Sequence, residues 1–129
     1  MARILIVEDH AANLKLARVI LERAGHEVLA SDNAADGLRI AADVQPDLIL
    51  MDIQLPGMDG LEATRHLKAD SRTLHIRVVA LTAFAMRDDA QKMHAAGCDG
   101  YLAKPYRRAQ LLEAVNEALV GGSATAGQS

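Results

Sequence analysis

Glu8, Asp9, Asp52, Thr82 and Lys104 each stand at or just past the end of an apolar run. Ile4-Leu5-Ile6-Val7 runs into Glu8-Asp9, Leu48-Ile49-Leu50-Met51 into Asp52, and Ile76 to Leu81 into Thr82. Tyr101-Leu102 is followed closely by Lys104-Pro105. Short apolar runs bounded by turn residues read as buried strands of a parallel sheet. A carboxylate is rarely placed in a core, but the tip of such a strand faces the crevice where open α/β sheets bind ligands. Taken singly, each residue also has a plain reading: Asp52 caps its loop, Lys104 is a solvated lysine, Thr82 is a strand-end threonine. Together they pose a different problem. Carboxylates about 4 Å apart repel by roughly 1–4 kcal/mol per pair, so a cluster of three takes up a proton or binds a cation. Oxygen ligands with little His or Cys nearby favour Mg2+ over zinc, with Mn2+ as its substitute. Mg2+ commonly shares its shell with a phosphate, which points to phosphoryl transfer. Asp52 is then the candidate nucleophile, since carboxylates form acyl phosphates. Lys104 supplies a compact positive charge and Thr82 a hydroxyl donor, and the catalytic work is positioning and charge neutralisation.

Alternating elements are needed to bring these residues together. After the first strand, Leu14, Ala17, Leu21 and Ala24 recur at helical spacing, and Gly25 stops the helix. Glu27 to Ala30 is a second strand. Asn33 is placed to cap a helix from Ala34 to about Val44, with Leu38 and Ala41 or Ala42 inward, and Pro46 ends that segment. Pro56-Gly57 turns the chain after the third strand, and Asp59 with Glu62 resembles a capping box for a third helix. A fourth helix is expected from about Phe84 to Ala96, closed by Gly97. The last runs to about Val120 with Leu111, Leu112, Val115 and Leu119 on one face. Five β-α repeats of this kind imply right-handed crossovers and a parallel sheet covered on both faces. At this size the natural architecture is the α/β, flavodoxin-like doubly wound sheet with strand order 2-1-3-4-5, whose switch point lies between strands one and three. Glu8, Asp9 and Asp52 would meet there.

The 129 residues make one domain. Half are apolar and 24% charged, which fits an ordinary globular chain. A formal net charge of −3 argues against a nucleic-acid surface. One cysteine cannot pair internally, which suits a reducing compartment. The apolar start meets Glu8-Asp9 too soon for a signal peptide, and no apolar run approaches membrane-spanning length. A cytoplasmic place is expected, with no direct nucleic-acid partner and no membrane insertion. Residues 1–120 are expected to form the domain, and 121–129, rich in Gly, Ser and Ala, a disordered tail or linker stub.

The chain resembles the receiver domain of bacterial two-component response regulators over about residues 2–120. The likeness rests on Ile4-Leu5-Ile6-Val7-Glu8-Asp9, on the run from Pro46-Asp47 through Asp52 to Pro56-Gly57-Met58-Asp59-Gly60, on Ala80-Leu81-Thr82-Ala83 and on Gly100-Tyr101-Leu102-Ala103-Lys104-Pro105. It looks most like stand-alone receivers of the DivK kind, although receivers of hybrid kinases share such segments. The resemblance implies that Asp52 accepts a phosphoryl group from a histidine of a sensor kinase or phosphotransfer protein. It implies that Asp9, Asp52 and the backbone carbonyl of Gln54 bind Mg2+, with Glu8 helping through water. Many receivers carry Asp where Glu8 stands. Lys104 and Thr82 would contact the phosphoryl group, Ala83 would leave it room, and Lys104-Pro105 would be a cis peptide. It also implies a switch: Thr82 moves toward the phosphoryl oxygens, Tyr101 turns inward, and the face of helix four, strand five and helix five changes for a downstream protein target. Gln54 and Phe84 would tune acyl-phosphate lifetime, with Phe84 as core packing the other reading.

Other residues carry less. His10, His26, His66, His75 and His94 show no metal-ligand spacing, and His10 reads as a surface-loop residue beside the acidic pocket. Cys98 reads as a small buried residue near strand five. Arg107-Arg108 is either a partner contact or a solvated helix end, and Met86 and Met93 lie on a binding face or pack against the sheet. Three rival functions have distinct signatures. A receiver fragment of a larger regulator or hybrid kinase would use the Gly/Ser-rich tail as a linker, although the initiating Met just before strand one suits a natural N-terminus. A dehalogenase-type phosphohydrolase would place a second acid where Gln54 stands. A flavodoxin-like cofactor binder would need a phosphate-cradling loop where Glu8-Asp9-His10 is acidic. The resemblance implies a signalling domain that catalyses only its own phosphorylation and dephosphorylation.

Overall fold

The computed structural model describes residues 2–83 and 87–127. Five strands and five helices alternate: β1 Arg3–Val7, α1 Ala11–Arg23, β2 Glu27–Ser31, α2 Ala34–Val44, β3 Leu48–Asp52, α3 Gly60–Ala69, β4 Arg77–Thr82, α4 Arg87–Ala96, β5 Gly100–Ala103 and α5 Arg108–Gly127. All strand pairs are parallel and the order is β2-β1-β3-β4-β5, as the repeat pattern implies. Every residue of β3 is buried, as expected of the central strand of a two-faced sheet.

The sheet divides the core in two. On one side Ile4, Ile6, Leu48, Leu50, Val79 and Leu81 meet α1 and α5 through Ala17, Leu21, Leu111 and Val115. On the other, Leu5, Val7, Ile49, Met51, Val78 and Ala80 meet α2, α3 and α4 through Ala41, Ala63, Leu67 and Met93. The period of two along each strand sends alternate side chains to opposite layers. Met93 is therefore core, not surface, and Cys98 is buried beside it.

Local signals set most boundaries. Asn33 accepts the Asp36 N–H at 2.8 Å and caps α2; Asp59 accepts the Glu62 N–H at 2.9 Å and caps α3. Gly25 and Gly97 take positive φ just past α1 and α4. Two details depart from the sequence pattern. Ala24 is the exposed C-cap of α1, and Ile20 takes the inward position instead. The helical backbone of α5 continues to Gly127, past the expected helix end near Val120. The expected start of α4 at Phe84 lies outside the described residues, as do Met86 and the proposed lifetime role of Phe84. Among the described residues no helix is long and apolar enough to cross a membrane.

Candidate functional site

Strand register brings the polar strand ends to one edge. Val7 lies opposite Met51, Asp52 opposite Leu81, and Thr82 opposite Ala103. The residues one step further, Glu8 and Lys104, are thus carried to the same edge as Asp52 and Thr82. The ladder bonds continue past the strands: Glu8 N–H donates to Ser31 O, Ile53 N–H to Leu81 O, and Lys104 N–H to Thr82 O at 2.7 Å. Lys104-Pro105 is a cis peptide.

Glu8, Asp52 and Thr82 are buried. Lys104 enters from β5 and donates to both acids, 3.1 Å from Glu8 Oε1 and 2.9 Å from Asp52 Oδ2. The other Asp52 oxygen accepts the Gln54 N–H at 2.9 Å. Both Asp52 oxygens are therefore held, and the carboxylate is fixed in orientation. Asp9 and the side chain of Gln54 are exposed at the rim, as are Ala83 and Pro105.

The charges are not equivalent. Burial pushes the Asp52 carboxyl above its ordinary value, and its hydrogen bond to Glu8 adds to the rise; Lys104 and the Gln54 N–H oppose it. For Glu8 burial also acts upward, but hydrogen bonds with Asp52, Lys104 and the His10 N–H outweigh it and hold the group below its ordinary value. Lys104 is raised: burial disfavours its charge, and the two carboxylates more than compensate. A buried acid pair thus leans on one ammonium group, an arrangement that a further cation would relieve.

The donor set suits such a cation. One ligand atom from each of Glu8, Asp9, His10 and Asp52 lies within 4.8 Å of the others. Three carboxylates supply the hard oxygens that Mg2+ prefers. By sequence His10 reads as a surface-loop residue beside the acidic pocket. Its ring is exposed, yet Nδ1 lies 3.2 Å from Glu8 Oε2 and 3.4 Å from Asp9 Oδ1. The only signal for it was adjacency to Glu8-Asp9.

Gly60 was also missed as a site residue. A Cβ there would stand 2.1 Å from the Asp52 carbonyl oxygen and 2.9 Å from Ile53 Cα. The first turn of α3 therefore presses directly on the backbone of the strand tip, and Gly60 N–H donates to Ile53 O at 3.0 Å. Tyr101, which the resemblance expects to turn inward on phosphorylation, is 48% exposed on β5 here.

Residues 4–116 match the family model described as the response regulator receiver domain. The chain belongs to the response regulator receiver family. This receiver is 42% identical to the polar-differentiation response regulator DivK of Brucella anthropi over 116 residues, covering 90% of this chain and 94% of that protein. The DivK of Brucella ovis is 41% identical over the same length. Among solved structures, the receiver domain of a Pseudomonas aeruginosa sensor histidine kinase, which coordinates magnesium in its active-site cleft, aligns with TM-score 0.85 at 34% identity, covering 92% of this chain and 97% of that one. Chemotaxis protein CheY4 of Vibrio cholerae aligns with TM-score 0.87 at 26% identity, covering 92% and 98%. Domains of this family are signalling modules of two-component systems rather than enzymes acting on an external metabolite, and this receiver has their five-stranded fold and acidic pocket.

Proposed function

We propose that Asp52 is the phosphoacceptor of this receiver and that its phosphorylation switches partner binding. The observation that carries this reading is the Asp52 carboxylate itself: buried at the tip of the central strand, gripped on one oxygen by Lys104 and on the other by the Gln54 N–H. A buried carboxylate held in one orientation beside an ammonium group is prepared for in-line attack. In the transfer, an Asp52 oxygen attacks the phosphorus of a phosphohistidine on a sensor kinase or phosphotransfer protein. The P–N bond breaks, the imidazole leaves with its electron pair, and an acyl phosphate remains. Lys104, already on Asp52 Oδ2, follows the charge onto the phosphoryl oxygens. Thr82 supplies a hydroxyl from the neighbouring strand end, and exposed Ala83 leaves the phosphoryl group room.

Asp9, Asp52, Glu8 and the Gln54 carbonyl would hold Mg2+, or Mn2+ in its place. When bound, the ion neutralises charge on the phosphoryl oxygens. The work of Glu8 is to keep a second negative charge beside Asp52, so that the pair recruits a cation.

The switch runs from Thr82 to Tyr101, which the ladder places on adjoining strands. A new anion at Asp52 draws the Thr82 hydroxyl and vacates space toward which exposed Tyr101 turns, changing the α4-β5-α5 face for a downstream protein. Pro105 shapes the loop that aims Lys104. The protein donor docks along α1 and the start of α5, where exposed Leu16 and Val19 border a groove with Tyr106, Arg108 and Leu112. The elements that wall that groove, α1 and the segment from Tyr106 into α5, follow directly on His10 and on Pro105 in the chain. A cytoplasmic place fits the unpaired Cys98 and the kinase partner.

The test is incubation with acetyl phosphate, with and without Mg2+, read by intact mass beside Asp52→Ala. A Mg2+-dependent gain of one phosphoryl group that is absent in the variant supports the reading. Beryllofluoride, as a stable phosphoryl mimic, should perturb NMR signals of Thr82 and Tyr101. If the wild type shows neither the adduct nor the perturbation, Asp52 is not the acceptor.

A further inference from the structure

We infer that His10 is itself a ligand of the divalent ion through Nδ1, and that it tips the site's preference from Mg2+ toward first-row transition ions. The inference rests on the proposed metal site formed with Asp9 and Asp52, and it concerns which atoms complete that site.

Three observations support it. His10 occupies the N-cap of α1 but makes no side-chain capping bond. Ser, Thr, Asp or Asn would be the ordinary choice there, so the imidazole is not spent on the helix. It turns instead to the acids, with Nδ1 3.2 Å from Glu8 Oε2 and 3.4 Å from Asp9 Oδ1. Neighbouring ligands of an octahedral ion with bonds of about 2.1 Å are about 3 Å apart. Both contacts of Nδ1 are close to that spacing, and the acids' ligand atoms lie within 4.8 Å of each other.

Two side chains also divide the site. Lys104 holds Glu8 Oε1 and Asp52 Oδ2, while His10 lies against Glu8 Oε2 and Asp9 Oδ1. The lysine side is the phosphoryl side. The imidazole side is left for the ion, and a nitrogen donor enters an otherwise oxygen-only set. His10 is 67% exposed at its side chain, so Nε2 can keep its proton in water while Nδ1 offers its lone pair. Imidazole is a better ligand for first-row transition ions than for Mg2+.

Mn2+ provides the test, because its unpaired electrons report on bound nitrogen. Electron spin echo envelope modulation of the full chain loaded with Mn2+ should show 14N coupling that converts to 15N when histidine alone is 15N-labelled. His10→Asn, whose side chain is a good N-cap, should keep the fold and bind one Mn2+ while losing that coupling. Competition titrations should show His10→Asn losing affinity for Mn2+ to a greater extent than for Mg2+. If one Mn2+ binds to the wild type without histidine coupling, or if the coupling persists in His10→Asn, the assignment of His10 is wrong while the metal site stands. If the room-temperature spectrum shows all Mn2+ free, the metal site itself fails and the inference falls with it.

Discussion

Replacing Gly60 with alanine should strike Asp52 without touching its side chain. The added methyl would lie 2.1 Å from the Asp52 carbonyl oxygen, 2.8 Å from its carbon and 2.9 Å from Ile53 Cα. All three are backbone atoms, so no side chain can swing aside. Reaching an ordinary 3.4 Å contact with that oxygen requires a displacement of about 1.3 Å between the first turn of α3 and the tip of β3. Overpacking of this kind costs roughly 1–3 kcal/mol of stability. A misplacement of about 1 Å at a reacting group can slow transfer about 100-fold. The assay measures the rate of phosphoryl incorporation from acetyl phosphate at saturating Mg2+, alongside urea denaturation. Gly25→Ala is the control: Gly25 has φ +95° with open space around its Cβ position. It should lose about 1 kcal/mol to backbone strain and phosphorylate at the wild-type rate. A Gly60→Ala protein with wild-type stability and wild-type rate would refute the claim that α3 fixes the acceptor's backbone.

Other outcomes follow from the same geometry. Asp52→Asn should stabilise the metal-free protein near neutral pH by about 1 kcal/mol or more, by removing a buried like charge beside Glu8. The Asp52 pKa is raised in the folded state, so folding favours its protonated form and wild-type stability falls as pH rises past the unfolded carboxylate value. The advantage of Asp52→Asn should therefore shrink as pH is lowered, which thermal denaturation across acidic pH would show. Leu16→Glu should slow phosphorylation by a protein phosphodonor about tenfold or more, with the acetyl phosphate rate unchanged. Lys68→Met should cost about 2 kcal/mol with no loss of phosphorylation rate: Lys68 Nζ donates to Ile76 O at 2.7 Å and Asp99 Oδ2 at 3.2 Å, on the side of α3 far from the site.

The strand tips were readable because buried parallel strands need unbroken apolar runs, so Glu8, Asp52 and Thr82 stood out against Ile, Leu, Val and Met. Asn33 and Asp59 were readable as caps because a short acceptor side chain before a helix acts locally. What escaped depends on distance in space. Nothing around Gly60 in the sequence says that the backbone of Asp52 lies against it. His10 reads as a loop residue until the turn after β1 folds it back on Glu8. The α3-β4-β5 tie of Lys68 with Asp99, 31 residues apart, arises only when three elements have packed. Tyr101 has the same kind of ambiguity: its side faces outward in β5, and no period over a four-residue strand could decide that.

The grip of Lys104 on Glu8 spans 96 residues, from the end of the last strand to the end of the first. A nascent chain still lacking β5 carries Asp9 and Asp52 but not the ammonium that steadies the acceptor. On the proposed reading of Asp52 and Lys104, such a chain would display the acids of a receiver without the means to hold a phosphoryl group. Competence in signalling would then arrive together with completion of the sheet, and a truncated or half-made molecule would be a poor sink for phosphoryl groups.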